Sequence, residues 1–102
     1  MGNTVKMLVR SRAKEGMDAE YNAWYSGTHI PDMLLIDGVA SCTRHRLRNA
    51  DGEPAEYLAI YEIDGDIDLV QKEIAARIKD GRMQLSPAID AANGGMTVWE
   101  PI

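Results

Sequence analysis

Tyr57-Leu58-Ala59-Ile60-Tyr61-Glu62-Ile63 is the most strand-like stretch of this 102-residue chain, apolar or aromatic at every position but Glu62. A strand of that composition is shielded from water on both faces and has a neighbour on each side, which makes it the centre of a sheet. The rest of the chain must therefore supply both the neighbouring strands and the layers that cover them.

The neighbours are legible on either side of this stretch. Thr4 to Arg12 places apolar residues at Val5, Met7 and Val9 and cations at Lys6, Arg10 and Arg12, the two-residue period of a strand with two different faces. Asp37-Gly38 is a turn signal, and Val39 to Arg48 then reads as a long strand. Residues 49–54 form a connection whose tight point is Asp51-Gly52, so this strand and the central one make a hairpin. Met96 to Glu100 is a short last strand, preceded by a patternless stretch from Arg82 to Gly95. That stretch reads as a loop with a short helical turn at Ala88 to Ala92 and a turn at Asn93-Gly94-Gly95.

Two helices complete the order. From Asp18, the residues Tyr21, Trp24, Tyr25 and Thr28 recur at three- and four-residue steps, the spacing of one helix face. Gly27 and Pro31 predict that this helix ends or bends near His29, with a second short helix opening at Pro31 and running to Ile36. Asp66 is suited to cap a helix that carries Leu69, Val70, Ile74 and Ile78 on one stripe, with Lys79 in its last turn and Asp80-Gly81 closing it. The order β-α-β-β-α-β is the split βαβ arrangement, a single ferredoxin-like α+β domain spanning 1–102. Two helices cover one face of a four-stranded sheet, so the other face wants a ligand or a second sheet. A homodimer meeting face to face as a dimeric α/β barrel supplies that second sheet.

Composition narrows the function. The chain is 45% hydrophobic and 26% charged with a net charge of −5, which places it among globular domains and disfavours binding to nucleic acid. Phe is absent, so Leu, Ile, Met and the six Tyr and Trp residues must fill the core. Cys42 is the only cysteine and excludes an intrachain disulfide. No run approaches the roughly 20 apolar residues of a membrane span and the N-terminus has no signal-peptide pattern, so a cytoplasmic location is expected.

The stretch Glu20-Tyr21-Asn22-Ala23-Trp24-Tyr25-Ser26-Gly27-Thr28-His29-Ile30-Pro31-Asp32-Met33-Leu34, followed by Ile36-Asp37-Gly38-Val39 and by Ser41 to Leu47, resembles the dimeric α/β-barrel superfamily, and within it the ether-degradation-accessory-like branch. The carriers of the resemblance are a helix end of the form W-Y-x-x-H-x-P and the x-G-x turn into the second strand, and the match continues through Tyr57 to Glu62. The resemblance implies a homodimer with a pocket between each sheet and its own helices or within the barrel wall. It implies little about chemistry, because relatives in that superfamily include monooxygenases, cyclases, isomerases, dehydratases and haem-degrading enzymes.

His29 is the first candidate for chemistry. It follows Tyr25 by one turn at the expected bend, where its imidazole can reach a cavity while backbone or Asp32 holds its tautomer. The plainer reading is a helix-end or core histidine. His45 shares a strand parity with Ser41, Thr43 and Leu47; if that parity faces the cavity, His45 pairs with His29 and Arg44 points away. The opposite parity groups Ala40, Cys42, Arg44 and Arg46 and makes Arg44 an anion or oxyanion partner. Both parities remain open in the sequence. Tyr61 sits centrally in the buried strand, where its hydroxyl can donate to a substrate carbonyl or to His29, core packing being the plainer reading, and Tyr57 shares its face. Trp24 and Tyr25 diverge by about 100° on a helix, so one packs under the sheet, Trp24 by preference, and the other borders the pocket. Arg10 lies on a cationic strand face that could hold a carboxylate or stay wet. Cys42 reads as an inert sheet residue.

No close grouping of ligands supports a metal, and no phosphate-cradling glycine loop supports a nucleotide, so no cofactor is expected. The functional expectation is a cofactor-independent acid–base enzyme, a lyase or dehydratase, isomerase or cyclase, acting on a small apolar, aromatic or cyclic metabolite. The alternatives are a cofactor-free monooxygenase and a noncatalytic binder of a hydrophobic ligand.

Overall fold

The computed structural model describes residues 4–48 and 55–102; the connection expected at 49–54 lies outside them. Four strands form one antiparallel sheet: β1 (Thr4–Ala13), β2 (Val39–Arg46), β3 (Tyr57–Asp64) and β4 (Ile89–Trp99), in the spatial order β2-β3-β1-β4. The predicted central strand has neighbours on both sides, β2 and β1. With α1 (Asp18–Trp24), α2 (Ile30–Leu34) and α3 (Ile67–Lys79), the arrangement is the ferredoxin-like β-α-β-β-α-β fold.

The two faces of β3 differ. Tyr57, Ala59, Tyr61 and Ile63 are buried under the helices, whereas Leu58, Ile60 and Glu62 on the opposite face are only half-buried. The shielding expected on both sides is thus complete on one side within a single chain. Register pairs Leu58 with Arg10, Ile60 with Leu8 and Glu62 with Lys6, and Lys6 in turn with Trp99. The open face therefore carries Leu8, Leu58, Ile60 and Trp99, the last 59% exposed. Two of the three cations of β1 are paired there: Lys6 contacts Glu62 and Arg10 contacts Glu56 at 3.2 Å.

The first helix changes near His29, as the sequence predicts, but without a break in the helical backbone. It passes from α1 through one wide π turn, Tyr25–His29, into α2, and Pro31 sits in the first turn of α2, directly after the widened turn. Within the π turn the Ile30 N–H reaches back to the Tyr25 carbonyl, five residues away. Helix α3 follows its sequence signals: the Asp66 carboxylate accepts the Asp68 N–H at 2.9 Å, and Gly81 takes a left-handed φ of 87° just past the C-cap. Gly38, at φ 98°, lets the α2–β2 turn lie against α3, because a Cβ there would come 2.9 Å from Val70 Cγ2.

The last strand corrects the sequence reading. Residues 88–92 are not a helical turn; Ala88 is buried with its carbonyl bonded to Lys14 N–H, and β4 already begins at Ile89. The turn-forming residues Asn93 and Gly94 lie in an irregularity of the strand. Arg10 pairs with Gly95 but Arg12 pairs with Asp90, so β4 spends extra residues opposite Ser11, and the Asp90 side chain holds that excursion through Ala92 N–H and Asn93 Nδ2. Gly94 fits because a Cβ there would sit 2.8 Å from the Arg10 carbonyl oxygen.

Candidate active site

A cavity of about 540 Å³ lies between the sheet and its own helices. Its walls are Met7, Val9 and Ser11 of β1, Tyr61 of β3, Met96 of β4, Ile74 and Ile78 of α3, and a cluster at the π turn comprising Trp24, Tyr25, His29 and Met33. The resemblance implies a pocket in this place. Sulfur-bearing and aliphatic side chains make most of the wall, the composition of a small-molecule site with few polar groups.

The π turn assembles the polar part. Tyr21 and Tyr25 are one α-helical turn apart and both buried; the next core-facing residues are Ile30, packed against the core, and Met33. The five-residue step from Tyr25 to Ile30 is accommodated by widening one turn, and widened turns of this kind recur at functional sites. His29 is thereby set between Trp24, on which it stacks at 4.8 Å between ring centroids, and Tyr25, which it meets edge-on at 4.9 Å.

Three titratable groups on this wall, His29, Tyr25 and Tyr61, are neutral at pH 7. Burial pushes the His29 imidazole down to about 4, against a smaller upward pull from Asp32. His29 Nδ1 is sealed from solvent and finds no hydrogen-bond partner among the described residues, so the ring is held by stacking and its tautomer has no anchor. The expectation that backbone or Asp32 fixes it is not met. Burial likewise raises both the Tyr25 and Tyr61 phenols, which hydrogen-bond each other at 2.8 Å. The Tyr61 hydroxyl is therefore engaged with Tyr25 and not with His29. Cys42 beside them is half-buried with its thiol pushed up by burial, the state of an unreactive cysteine.

Trp24 and Tyr25 exchange their expected places: Tyr25 is buried at 3% exposure and Trp24 is the half-buried one, donating its indole N–H to the Gln84 carbonyl at 3.3 Å. Both line the cavity, because their rings turn perpendicular to one another at 5.5 Å.

The parity of β2 is decided by a bulge. Val39 pairs with Ile63 but Ser41 pairs with Glu62, so one extra residue at Ala40 reverses the alternation beyond it. Cys42, Arg44 and Arg46 then share the helix side with Tyr61, Ala59 and Tyr57, while Thr43 and His45 face away and hydrogen-bond each other at 3.0 Å. His45 does not meet His29 within one chain. Arg44 does turn inward, but it reaches the back of the aromatic layer and not the cavity: its guanidinium lies 4.5 Å from the Tyr25 ring centre and 5.5 Å from those of Tyr21 and Tyr57. Tyr57 is on the same side, donating to Asp18 Oδ2 at 2.7 Å and accepting from Asn22 Nδ2 at 3.2 Å.

The structure thus brings four predicted residues together at the cavity, His29, Tyr61, Tyr25 and Trp24. It places Arg44, His45 and Tyr57 at a separate recess, and Asp32 near His29 but off the wall. Sequence reasoning missed Met7, Met33 and Met96, whose apolar character reads as ordinary core. It also missed Asn22 and Ser26, which bind Arg44; their four-residue spacing on the aromatic helix was the available signal. A polar groove of about 780 Å³ along α3, lined by Asp37, Asp64, Asp66 and Glu73, contains none of the predicted site residues. Among the described residues no three His, Cys, Asp or Glu side chains converge, and no helix is long and apolar enough to cross a membrane.

No protein-family model and no curated protein sequence matches the chain. Solved structures do. A candidate antibiotic biosynthesis monooxygenase from Bordetella bronchiseptica superposes with a TM-score of 0.74 at 15% identity, over 98% of each chain. SnoaB, a cofactor-independent oxygenase from Streptomyces nogalater, gives 0.65 at 16% identity over 97% of this chain and 93% of that one. An ethyl tert-butyl ether degradation family protein from Bacillus halodurans gives 0.55 at 12% identity over 96% and 99%. The chain has the fold of the ferredoxin-like α/β-barrel proteins that the resemblance implies.

Proposed function

We propose that this protein is a cofactor-independent oxygenase of a small, apolar ring compound held in the cavity between the sheet and its helices. The observation that carries the reading is that His29, Tyr25 and Tyr61, all uncharged, stand on one wall of a mostly apolar space of about 540 Å³. Similarity to SnoaB and to a candidate monooxygenase favours oxygenation over the lyase, isomerase and cyclase chemistry that is the first expectation from the sequence.

The chemistry follows from the wall. A buried imidazole at about 4 resists protonation while it stands alone, because its cation is poorly solvated. It accepts a proton when a carbanion forms beside it, since the ion pair offsets the desolvation. For a substrate with an acidic ring methylene, R₂CH₂, His29 takes one proton and the electron-rich carbanion reduces O₂. Overall R₂CH₂ and O₂ give R₂C=O and H₂O, the substrate supplying all four electrons. Tyr25 and Tyr61, kept protonated, are donors for an oxygen on the ring, and the apolar wall excludes water from the anion.

The same proposal includes assembly. A second copy covers the open face at Leu8, Leu58, Ile60 and Trp99, in line with two neighbours described as dimeric ferredoxin-like proteins.

The test is turnover of a ring-methylene compound under ¹⁸O₂. One labelled atom is expected in the product and one in water, with His29→Gln lowering the rate about 10²- to 10⁴-fold. Turnover that persists without oxygen would instead support the acid–base readings, and saturable binding with no turnover would support a noncatalytic carrier.

A further inference from the structure

The cluster Arg44-His45-Arg46 has no part in the cavity chemistry, yet the structure builds a recess around it. About 290 Å³ in volume, the recess lies on the edge strand β2 and is lined by Asn22, Arg44, His45, Arg46 and Tyr57. The layer of Tyr21, Tyr25 and Tyr57 rings under Arg44 separates it from the main cavity.

Arg44 is immobilised on three sides but not neutralised. Its Nη1 donates to Ser26 Oγ at 3.1 Å and its Nη2 to Asn22 Oδ1 at 2.9 Å, both uncharged acceptors. A guanidinium has five N–H donors, so three remain for another partner. Among the described residues neither Arg44 nor Arg46 has a carboxylate within ion-pair distance, a state they share with Arg12, Lys14, Arg48, Lys72 and Lys79; Arg44 differs from those in being both half-buried and held by two uncharged acceptors. This occurs in a chain with sixteen Asp and Glu against eleven Lys and Arg. The adjacent acid, Asp18, accepts the Tyr57 hydroxyl. A half-buried, pre-oriented fork beside a second guanidinium with no ion pair among the described residues is the arrangement that recognises a planar anion.

We propose that this recess binds the carboxylate of a small organic acid, with Arg44 as the fork and Arg46 as the second charge. The neighbouring Asp18 disfavours a dianion, which selects a monoanionic carboxylate over phosphate. The volume suits a small molecule rather than a polymer, and the net charge of −5 opposes a nucleic acid. The inference is independent of the oxygenase reading, because the two spaces share no described polar group.

The experiment is a nuclear magnetic resonance titration of the full chain with benzoate, benzamide, inorganic phosphate and a short single-stranded oligonucleotide. The readouts are the Arg44 and Arg46 Nε–H signals and the Trp24 indole N–H. Benzoate is expected to shift the arginine signals saturably and more tightly than phosphate, with no arginine response to benzamide. Arg46→Gln, at an exposed position, is expected to keep the fold and weaken benzoate at least threefold. Arg44→Lys, which keeps the charge and loses the fork, is expected to weaken it about tenfold. The proposal is overturned by the absence of a saturable benzoate response, by an equal arginine response to benzamide, or by phosphate binding as tightly. It is equally overturned by an arginine response to the oligonucleotide alone, or by binding that moves only Trp24 and is unchanged in both variants.

Discussion

The two faces of the one sheet solve the same problem in different ways. Around the cavity under the helices, the titratable groups are kept but stripped of charge: the Tyr25 and Tyr61 phenols bond to each other, Tyr21 bonds to Ser11, and His29 is pushed towards neutrality. On the open face, charge is kept and paired, with Lys6 against Glu62 and Arg10 against Glu56 around Leu8, Leu58 and Ile60. Low-polarity surroundings make an unpaired charge costly, so the cavity wall retains its titratable groups in their neutral forms. A face that one chain leaves open can carry ion pairs at its rim and apolar residues at its centre, the usual anatomy of an interface.

That contrast can be broken, and the largest effect is expected at Tyr21, which is fully buried, stacked on Tyr57 at 5.1 Å and bonded through its hydroxyl to Ser11. Tyr21→Ala should cost about 3–5 kcal/mol in denaturant unfolding and open the cavity towards the Arg44 recess. A loss below about 1 kcal/mol would mean that the aromatic layer is not the wall between them.

The next effect is a pH dependence. His29 titrates lower in the folded chain, at about 4, than in the unfolded one, at 6.5. The unfolded state therefore binds more protons between those values, so the His29 contribution is fully present above about pH 6.5 and is lost as pH falls towards 4. Its size is of order 3 kcal/mol. Asp80 and Asp90 are also lowered, by hydrogen bonds to Arg82 and to Asn93 respectively, but as carboxylates they lose their contribution only at still lower pH. Unfolding free energies measured from pH 7 to 4 should fall in the native chain and stay nearly level in His29→Gln.

The smallest effect on the fold sharpens the open face. Ile60→Asp places a charge at its half-buried centre, between Leu8 and Thr43. It is expected to cost the single chain about 1 kcal/mol, the span of strand preferences, while converting a dimer to a monomer in sedimentation velocity. An unchanged sedimentation coefficient would place the subunit contact elsewhere.

Much of the fold was legible because local chemistry spells it out. The alternation of β1, the Asp66 cap, the Asp80-Gly81 stop and the dense apolar run of β3 each act within a few residues, and all reappear. What was not legible depends on partners distant in sequence. The Asn93-Gly94-Gly95 signal reads as a turn, and only pairing with Arg10 makes it an irregularity inside a strand. Gly27 and Pro31 read as an end or bend near His29, and only the structure shows that the change there is a π turn holding Gly27, with Pro31 in the helix that follows.

The candidate site divides along the same line. The amino-acid order by itself determined that His29 lies one turn beyond Tyr25, because residues four apart on an α-helix are neighbours; the stacking of His29 on Trp24, five residues away, needs the π turn. Tertiary structure alone decided which side of β2 turns inward, since a single unpaired residue at Ala40 reverses every side chain after it and leaves no mark in the composition. It alone also decided which of the polar groups lose their charge, because that depends on how much water the packing of distant elements removes.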